Sequence, residues 1–478
     1  AAYLIDEKGV APYQIMAITF TNKAAEEMRE RINKLVSFGG EAVWVATFHS
    51  SCVKILRRFA DRVGYDSRFT IYDGDDQKSL IKDVCKYLDI DTKIHKERSF
   101  LSVISHAKEN LIGPEAFLQE AAGDFNRTRQ GQVYREYQAR LKANNALDFD
   151  DLIMKTVELL RGDSTFREYY QRRFHYIMVD EYQDTNTAQF ELVRLLADGY
   201  RNLCVVGDDD QSIYRFRGAN IYNILHFEEH YPDAKVIKLE QNYRSTGSIL
   251  HLANNLIQHN VNRTDKNLWT NSGDGAEPQL WQLYSEAEEA QVIANEIRRQ
   301  LSVGRSPDDI AVLYRTNAQS YAIERALRQN YLPYKIVGGL RFLDRAVVKD
   351  VLAYLRLLYQ PSDRVSFSRI VNVPKRGIGA VSVAKFLAWN DEQGTPIVDG
   401  LLAVNEANGL TPRAKHSLHE LGVLLSDLQK LIDEAPADVI EKIIDQIWND
   451  GFDNIFYIGI GGTYASAMQV EVYMRGRS

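Results

Sequence analysis

Apolar residues are distributed along this chain in two alternating patterns. Short runs rich in β-branched residues, at 14–20 (QIMAITF), 43–48 (VWVATF), 176–180 (YIMVD) and 202–208 (NLCVVGD), read as strands. Between them, residues 23–36 and 186–197 repeat apolar side chains at helical spacing. This alternation predicts a parallel sheet flanked by helices, an α/β fold. The opening AAYLIDEKG reads as the last turns of a helix stopped at Gly9, with Pro12 ahead of the first strand.

From about residue 75 to 145 the pattern becomes helical with no obvious strand (SLIKDVCKYL, SFLSVISHAKENL, VYREYQARLKANN), and the sheet resumes at ALDFDDLI, residues 146–153. A second α/β stretch starts near Gly247, with strand candidates QLWQL, DIAVLYR and YKIVGG and helices at 286–301 and 321–329. From Arg341 the chain reads as helical again until a strand at Asn454.

Composition narrows the class. At 478 residues, with 45% apolar and 26% charged residues, the chain has an ordinary globular balance and is too long for one core, so about two to four domains are expected. There is no apolar run long enough to span a membrane and no leader pattern at the start, which reads as cytoplasmic. Cys52, Cys85 and Cys204 are far apart without CxxC spacing, so they predict buried thiols and no metal or disulfide framework. A net charge of −7 does not advertise a nucleic-acid binder, although a basic groove can sit locally on an acidic body.

The stretch YIMVDEYQD, 176–184, carries the clearest chemistry. An apolar run ending in Asp180 and Glu181 predicts a buried strand that delivers two acids to the carboxyl end of the sheet. There one acid can hold the Mg²⁺ that bridges nucleotide phosphates while its neighbour orients a water. A strand followed by an acidic helix N-cap remains the alternative on this stretch alone.

Five stretches in order, AITFTNKAA, VATFHSS, VDEYQDTN, VVGDDDQSIYRFRGA and LEQNYRST, resemble the superfamily 1 DNA helicases of the UvrD, Rep and PcrA type. The resemblance covers roughly residues 1–447. It implies RecA-like parallel-sheet motor domains of the P-loop NTPase fold with inserted helical accessory domains. The implied division is 1–74 and 146–247 for the first motor, 75–145 for its insertion, 248–340 for part of the second motor, and 341–447 for a second accessory domain. The implied activity is ATP-driven 3′-to-5′ stepping along single-stranded DNA by a monomer, with the duplex junction ahead. ATP and Mg²⁺ are the implied cofactors.

By resemblance, Asp180 is the Mg²⁺ ligand, Glu181 the catalytic base, Gln211 the γ-phosphate sensor, Arg244 the arginine finger and Tyr243 the adenine stack. Phe20, Asn22, His49, Phe149, Tyr214, Phe216 and Arg217 match positions that meet the DNA strand. Core packing is the alternative for Phe20 and Phe149, and a structural role for His49. Phe216 departs from the family, in which tryptophan is usual. In VPKRGIGAVSVAKF, Lys375 and Arg376 precede a turn through Gly377 and Gly379. It resembles a helix-hairpin-helix contact to duplex phosphates, or is an ordinary interhelix turn.

The departures matter as much. The phosphate-cradling GxxxxGK[ST] loop is nowhere in the sequence, and the chain reads as cut at both ends. Residues 448–478 depart from a helicase. Their apolar strand, GIGGTYAS and expected helix resemble the opening of a SIS sugar isomerase domain, with Gly461, Thr463 and Ser466 near a sugar phosphate, or a generic glycine-rich turn. The expectations are therefore a helicase chain without turnover, a non-catalytic DNA-binding remnant, or a sugar-phosphate binder.

Overall fold

In chain order the strands of residues 1–235 are β1 (Ile15–Thr19), β2 (Trp44–Thr47), β3 (Thr70–Ile71), β4 (Ala146–Leu147), β5 (Tyr176–Val179) and β6 (Leu203–Val205). The computed structural model describes residues 1–260, 263–337, 345–434, 436–448, 454–460 and 470–476. Four strands form one sheet in the order β2-β1-β5-β6, every neighbouring pair parallel.

β1 is buried along its whole length because both of its faces are covered. Met16 and Ile18, with Ile177 and Val179 of β5, join the core built by helices Phe48–Phe59, Phe149–Gly162 and Thr187–Ala197. Ile15 and Ala17 turn to the opposite face, against helix Asn22–Leu35 and the first residues of the chain. A strand covered on both sides must be continuously apolar, which is why IMAIT and YIMV read so clearly. Burying each large aliphatic side chain contributes about 1.5–3 kcal/mol relative to exposure. β6 lies at the edge of the sheet, and Cys204 on it is exposed, which corrects the expectation of three buried thiols.

β3 and β4 pair in parallel at the neck of a helical insertion. Its helices, Gly74–Tyr87, Glu97–Glu109, Pro114–Glu120 and Phe125–Ala143, share a core that includes Leu80, Val84, Phe100, Ile104 and Tyr134. The insertion is bound to the sheet-bearing body by a buried charge cluster. Lys108 Nζ lies 2.7 Å from Asp148 Oδ2 and 2.9 Å from Asp151 Oδ1. Tyr137 Oη donates to Asp148 and Gln138 Nε2 to Asp151, at 3.0 and 3.1 Å. Asp148 also caps helix Phe149–Gly162 by accepting from the Asp151 N–H. Burial opposes the Lys108 charge, yet the two aspartates prevail and hold its ammonium well above its ordinary value.

A second helical body, running from Ala346 to Trp448, has its own core around Tyr354, Phe367, Phe386, Leu401, Leu418 and Leu425. It packs on the insertion: Tyr72 Oη donates to Asp363 Oδ1 at 2.8 Å, and Arg356 meets Asp76 at 2.6 Å. By internal contacts Ala346–Ser478 group with Ala1–Lys235, and Val236–Arg345 form a separate, smaller unit.

The smaller unit holds helices Gly247–Ile257, Glu286–Ser302 and Ser320–Gln329. The last two meet at Ala290, Ala294, Ala326 and Leu327. The strands expected at QLWQL and DIAVLYR do not form, nor does one over the described part of YKIVGG, whose two glycines lie outside the described residues. Leu280, Leu313 and Val337 are 97%, 90% and 87% exposed. A strand needs a neighbour for its backbone N–H and C=O groups and a layer to bury its face, and among the described residues these stretches have neither.

At the end of the chain Asn454–Ile460 and Val470–Gly476 pair as an antiparallel ladder. The helix expected after GIGGTYAS is thus a strand over 470–476, as the period-two VEVYM favours. Gly461, Thr463 and Ser466 lie outside the described residues.

Candidate nucleotide and nucleic-acid site

β5 and its neighbours end on one edge, where the acids gather. The ladder continues one step past β5: Asp180 N–H donates to Ile18 O at 2.9 Å, and Val206 N–H to Val179 O at 2.8 Å. Glu181 then adopts a left-handed backbone, φ 52° and ψ 41°, uncommon for a residue with a side chain, and the chain turns into Tyr182–Asp184. The acids leave the sheet at this bend.

Gln183, which the sequence did not single out, ties the edge together. Its Nε2 donates to Glu181 Oε2 at 2.8 Å and its Oε1 accepts from the Asp208 N–H at 2.9 Å. Gln211 Nε2 donates to Asp208 Oδ2 at 2.7 Å. Glu181, Gln183, Asp208 and Gln211 are therefore one connected network at the carboxyl ends of β5 and β6. Its signal was the Gln in VDEYQD, but only pairing of the two strands shows what that amide reaches.

Burial raises the Asp180 carboxyl above the usual carboxylate range, and the Glu181 N–H opposes the shift. Asp184 is pushed up to about 6, by burial first and then by the charge of Glu181. Asp184 Oδ1 and Thr19 Oγ1, at the end of β1, are buried atoms without a hydrogen bond. Carboxylate oxygens are hard donors of the kind Mg²⁺ takes. Those of Asp208, Asp209 and Asp210 lie within 4.8 Å of one another, the one such group of three among the described residues.

The residues matched to DNA contacts fall in several environments. Phe20 is half-buried, edge-on to Phe48 at 5.4 Å, and packs on the core. Asn22 is exposed at the start of helix Asn22–Leu35. His49 and Phe149 meet edge to face at 5.9 Å; burial holds the His49 imidazole below its ordinary value, while Phe149 is 48% exposed. Tyr214 and Phe216 are exposed, and the Arg217 guanidinium lies 5.3 and 5.6 Å from their rings. Tyr243 and Arg244 belong to the smaller unit and are both exposed there.

At the glycine turn, Lys375 is exposed, Gly377 has φ +69°, and Gly379 precedes helix Ala380–Gln393. Arg376 turns inward. Its guanidinium donates to the carbonyls of Ile370 and Val373 and to Tyr354 Oη, closing the end of helix Arg364–Ile370 instead of facing a phosphate. Arg413, which no local pattern marked, brings its guanidinium within 3.3 Å of where a Cβ on Gly377 would stand. Replacing Arg376 by Ala is expected to lower stability by about 1–3 kcal/mol, since buried carbonyls lose their donor, and to leave duplex affinity unchanged. Thermal unfolding alongside duplex titration checks this, and a loss of affinity at unchanged stability would contradict it.

Two family models match consecutive parts of the chain: the UvrD/REP helicase N-terminal domain over residues 1–232 and the UvrD-like helicase C-terminal domain over 237–406. The chain belongs to the UvrD-like helicases. It is 48% identical over 449 residues to the ATP-dependent DNA helicase PcrA of Staphylococcus epidermidis, 48% over 447 to that of Bacillus subtilis, and 47% over 448 to that of Staphylococcus aureus. In each case the match takes in 93% of this chain and 60% of the relative, so this UvrD-like chain spans about 60% of the length of those relatives. UvrD-type helicase domains have the RecA-like P-loop fold, and the parallel sheet with its acid-bearing edge is the corresponding part here. Among the described residues no helix is long and apolar enough to cross a membrane.

Proposed function

We propose that this chain carries motor and DNA-binding parts of an ATP-dependent helicase that moves 3′ to 5′ along single-stranded DNA towards a duplex junction. The observation that carries this reading is the linked edge of Glu181, Gln183, Asp208 and Gln211 beside Asp180. Such an edge can hold a metal and orient a water. Asp180 would hold Mg²⁺, whose chemistry is to neutralise phosphate charge. Glu181 is the base for the attacking water, and Gln211 senses the γ-phosphate. Arg244 and Tyr243 of the smaller unit supply the finger and the adenine stack.

Phe149, Tyr214 and Phe216 offer exposed rings on which unpaired bases stack, and Arg217 adds a cation. Lys375 and the Gly377–Gly379 turn meet duplex phosphates. The chain is expected to bind a labelled oligonucleotide with an affinity that falls as salt rises. Phe216→Ala is expected to weaken it by about 1–3 kcal/mol, the loss of one stacked base. Fluorescence titration at two salt concentrations decides this; salt-independent binding would sink the groove.

The 478 residues contain no GxxxxGK[ST] stretch, which favours a second reading in which this chain binds DNA without turning over ATP. Strand affinity without hydrolysis would support it. A sugar-phosphate role for the tail finds no support in an antiparallel ladder, which offers no helix N-terminus over 470–476.

A further inference from the structure

Between helix Glu97–Glu109 and the loop at 215–220 lies a cavity of about 600 Å³. Phe216 and Arg217 line one wall, and Ser105, Glu109, Asn110 and Thr187 line another. Most of that polar wall is committed. Ser105 Oγ donates to Asp150 Oδ2 at 2.7 Å, and Thr187 Oγ1 to Asn110 Oδ1 at 3.2 Å. The Asn110 amide donates to His106 O at 2.8 Å.

Glu109 differs. Its side chain is only 14% exposed, yet among the described residues no group donates a hydrogen bond to its carboxylate. His106 Nδ1 stands 3.9 Å from Oε2. The loop rests directly on this carboxyl: Gly218 has φ +79°, and a Cβ there would collide with both Glu109 oxygens. A nearly buried acid with unused acceptors therefore opens into the same cavity as two of the strand-facing residues.

We propose that this cavity is a subsite for one nucleobase of the bound strand, and that the Glu109 carboxyl meets the donor groups on the base edge. Phe216 offers a ring face and Glu109 an acceptor in the same cavity, and a base can use both where a phosphate can use neither. Bases of a single strand are unstacked and present their pairing edges to side chains. An ionised carboxylate only accepts, so it favours the exocyclic amino groups of cytosine, adenine and guanine over thymine, which has none. The subsite depends on the loop through Tyr214, Phe216 and Arg217 holding the strand, as proposed above.

Proton linkage makes the subsite visible in solution. Burial, and secondarily Asp150, push Glu109 up to about 7. The other groups facing it are His106 on its own helix and Arg215 and Arg217 on the loop, with the Lys108–Asp148–Asp151 cluster behind. Strand phosphates add negative potential, which favours the protonated acid, so binding takes up a proton. Affinity then falls as pH rises through 7, by up to about tenfold for one proton over one pH unit. The loss is smaller for a strand whose bases carry amino groups.

The test is fluorescence anisotropy with labelled oligothymidine and oligocytidine of equal length, at pH 6 and pH 8, each at the same two salt concentrations, on the full chain. The unaltered protein is expected to lose affinity towards pH 8, with oligothymidine losing more. Glu109→Gln should flatten the pH dependence and remove the base preference at pH 8, while His106→Gln keeps both. A Glu109→Gln protein whose pH slope and base preference match the parent overturns the subsite and leaves the strand-binding reading standing. Absence of salt-dependent binding by any of the three proteins overturns both.

Discussion

The 478-residue chain is expected to show no DNA-stimulated ATP hydrolysis. In the proposed reading the acids at the end of β5 hold a metal and a water, but a triphosphate also needs the backbone N–H groups and lysine of a GxxxxGK[ST] loop, and the sequence has none. Without them the nucleotide loses most of its ground-state binding, and Glu181 has nothing to act upon. Steady-state phosphate release with and without single-stranded DNA measures this. Turnover by the unaltered chain that disappears in Glu181→Gln would show the prediction to be wrong.

The largest stability effect is expected at Lys108. Its ammonium is fully buried between Asp148 and Asp151, with Tyr137 and Gln138 completing the shell. Lys108→Met leaves two carboxylates together in a dry interior and should cost about 3–5 kcal/mol, read as a lower denaturation midpoint. Adding Asp151→Leu should recover part of that loss, because one unpaired charge leaves with it. A single-variant loss under about 1 kcal/mol would mean that water reaches the cluster. Lys108 is held in its charged form by the aspartates, so on the alkaline side this stabilisation fades only above the ordinary lysine range, while on the acid side it is lost as the aspartates, Asp151 raised by burial, take up protons.

Much of the first unit was legible in the sequence for a plain physical reason. β1 and β5 are covered on both faces, so their residues had to be apolar without interruption, and the acids that follow stand out. The same reasoning failed in the smaller unit. QLWQL and DIAVLYR have the composition of strands, but a strand exists only through its neighbours, and among the described residues none pairs with them. At the other extreme, a helix was expected over VEVYM, yet its period-two pattern is that of a strand and Asn454–Ile460 supplies the ladder partner.

The candidate site divides similarly. Asp180, Glu181 and Gln211 follow from short stretches read in order, whereas Gln183 is recognised as their link only once β5 lies beside β6. Arg376 in a basic pair reads as a phosphate contact, yet helix Arg364–Ile370 ends beside it and claims its donors. Lys108 in SHAKEN reads as an ordinary helix lysine, since Asp148 is forty residues away in sequence.

By itself, then, the sequence determined the order of strands and helices in the first unit, the acids at the end of β5 and the family. Each is written in residues close together, where periodicity and short motifs act. Only the tertiary structure decided which charges are buried, which are paired and which stand free in a cavity. Desolvation and hydrogen bonding depend on groups that meet from distant parts of the chain, as Lys108 meets Asp148 and Gly218 meets Glu109.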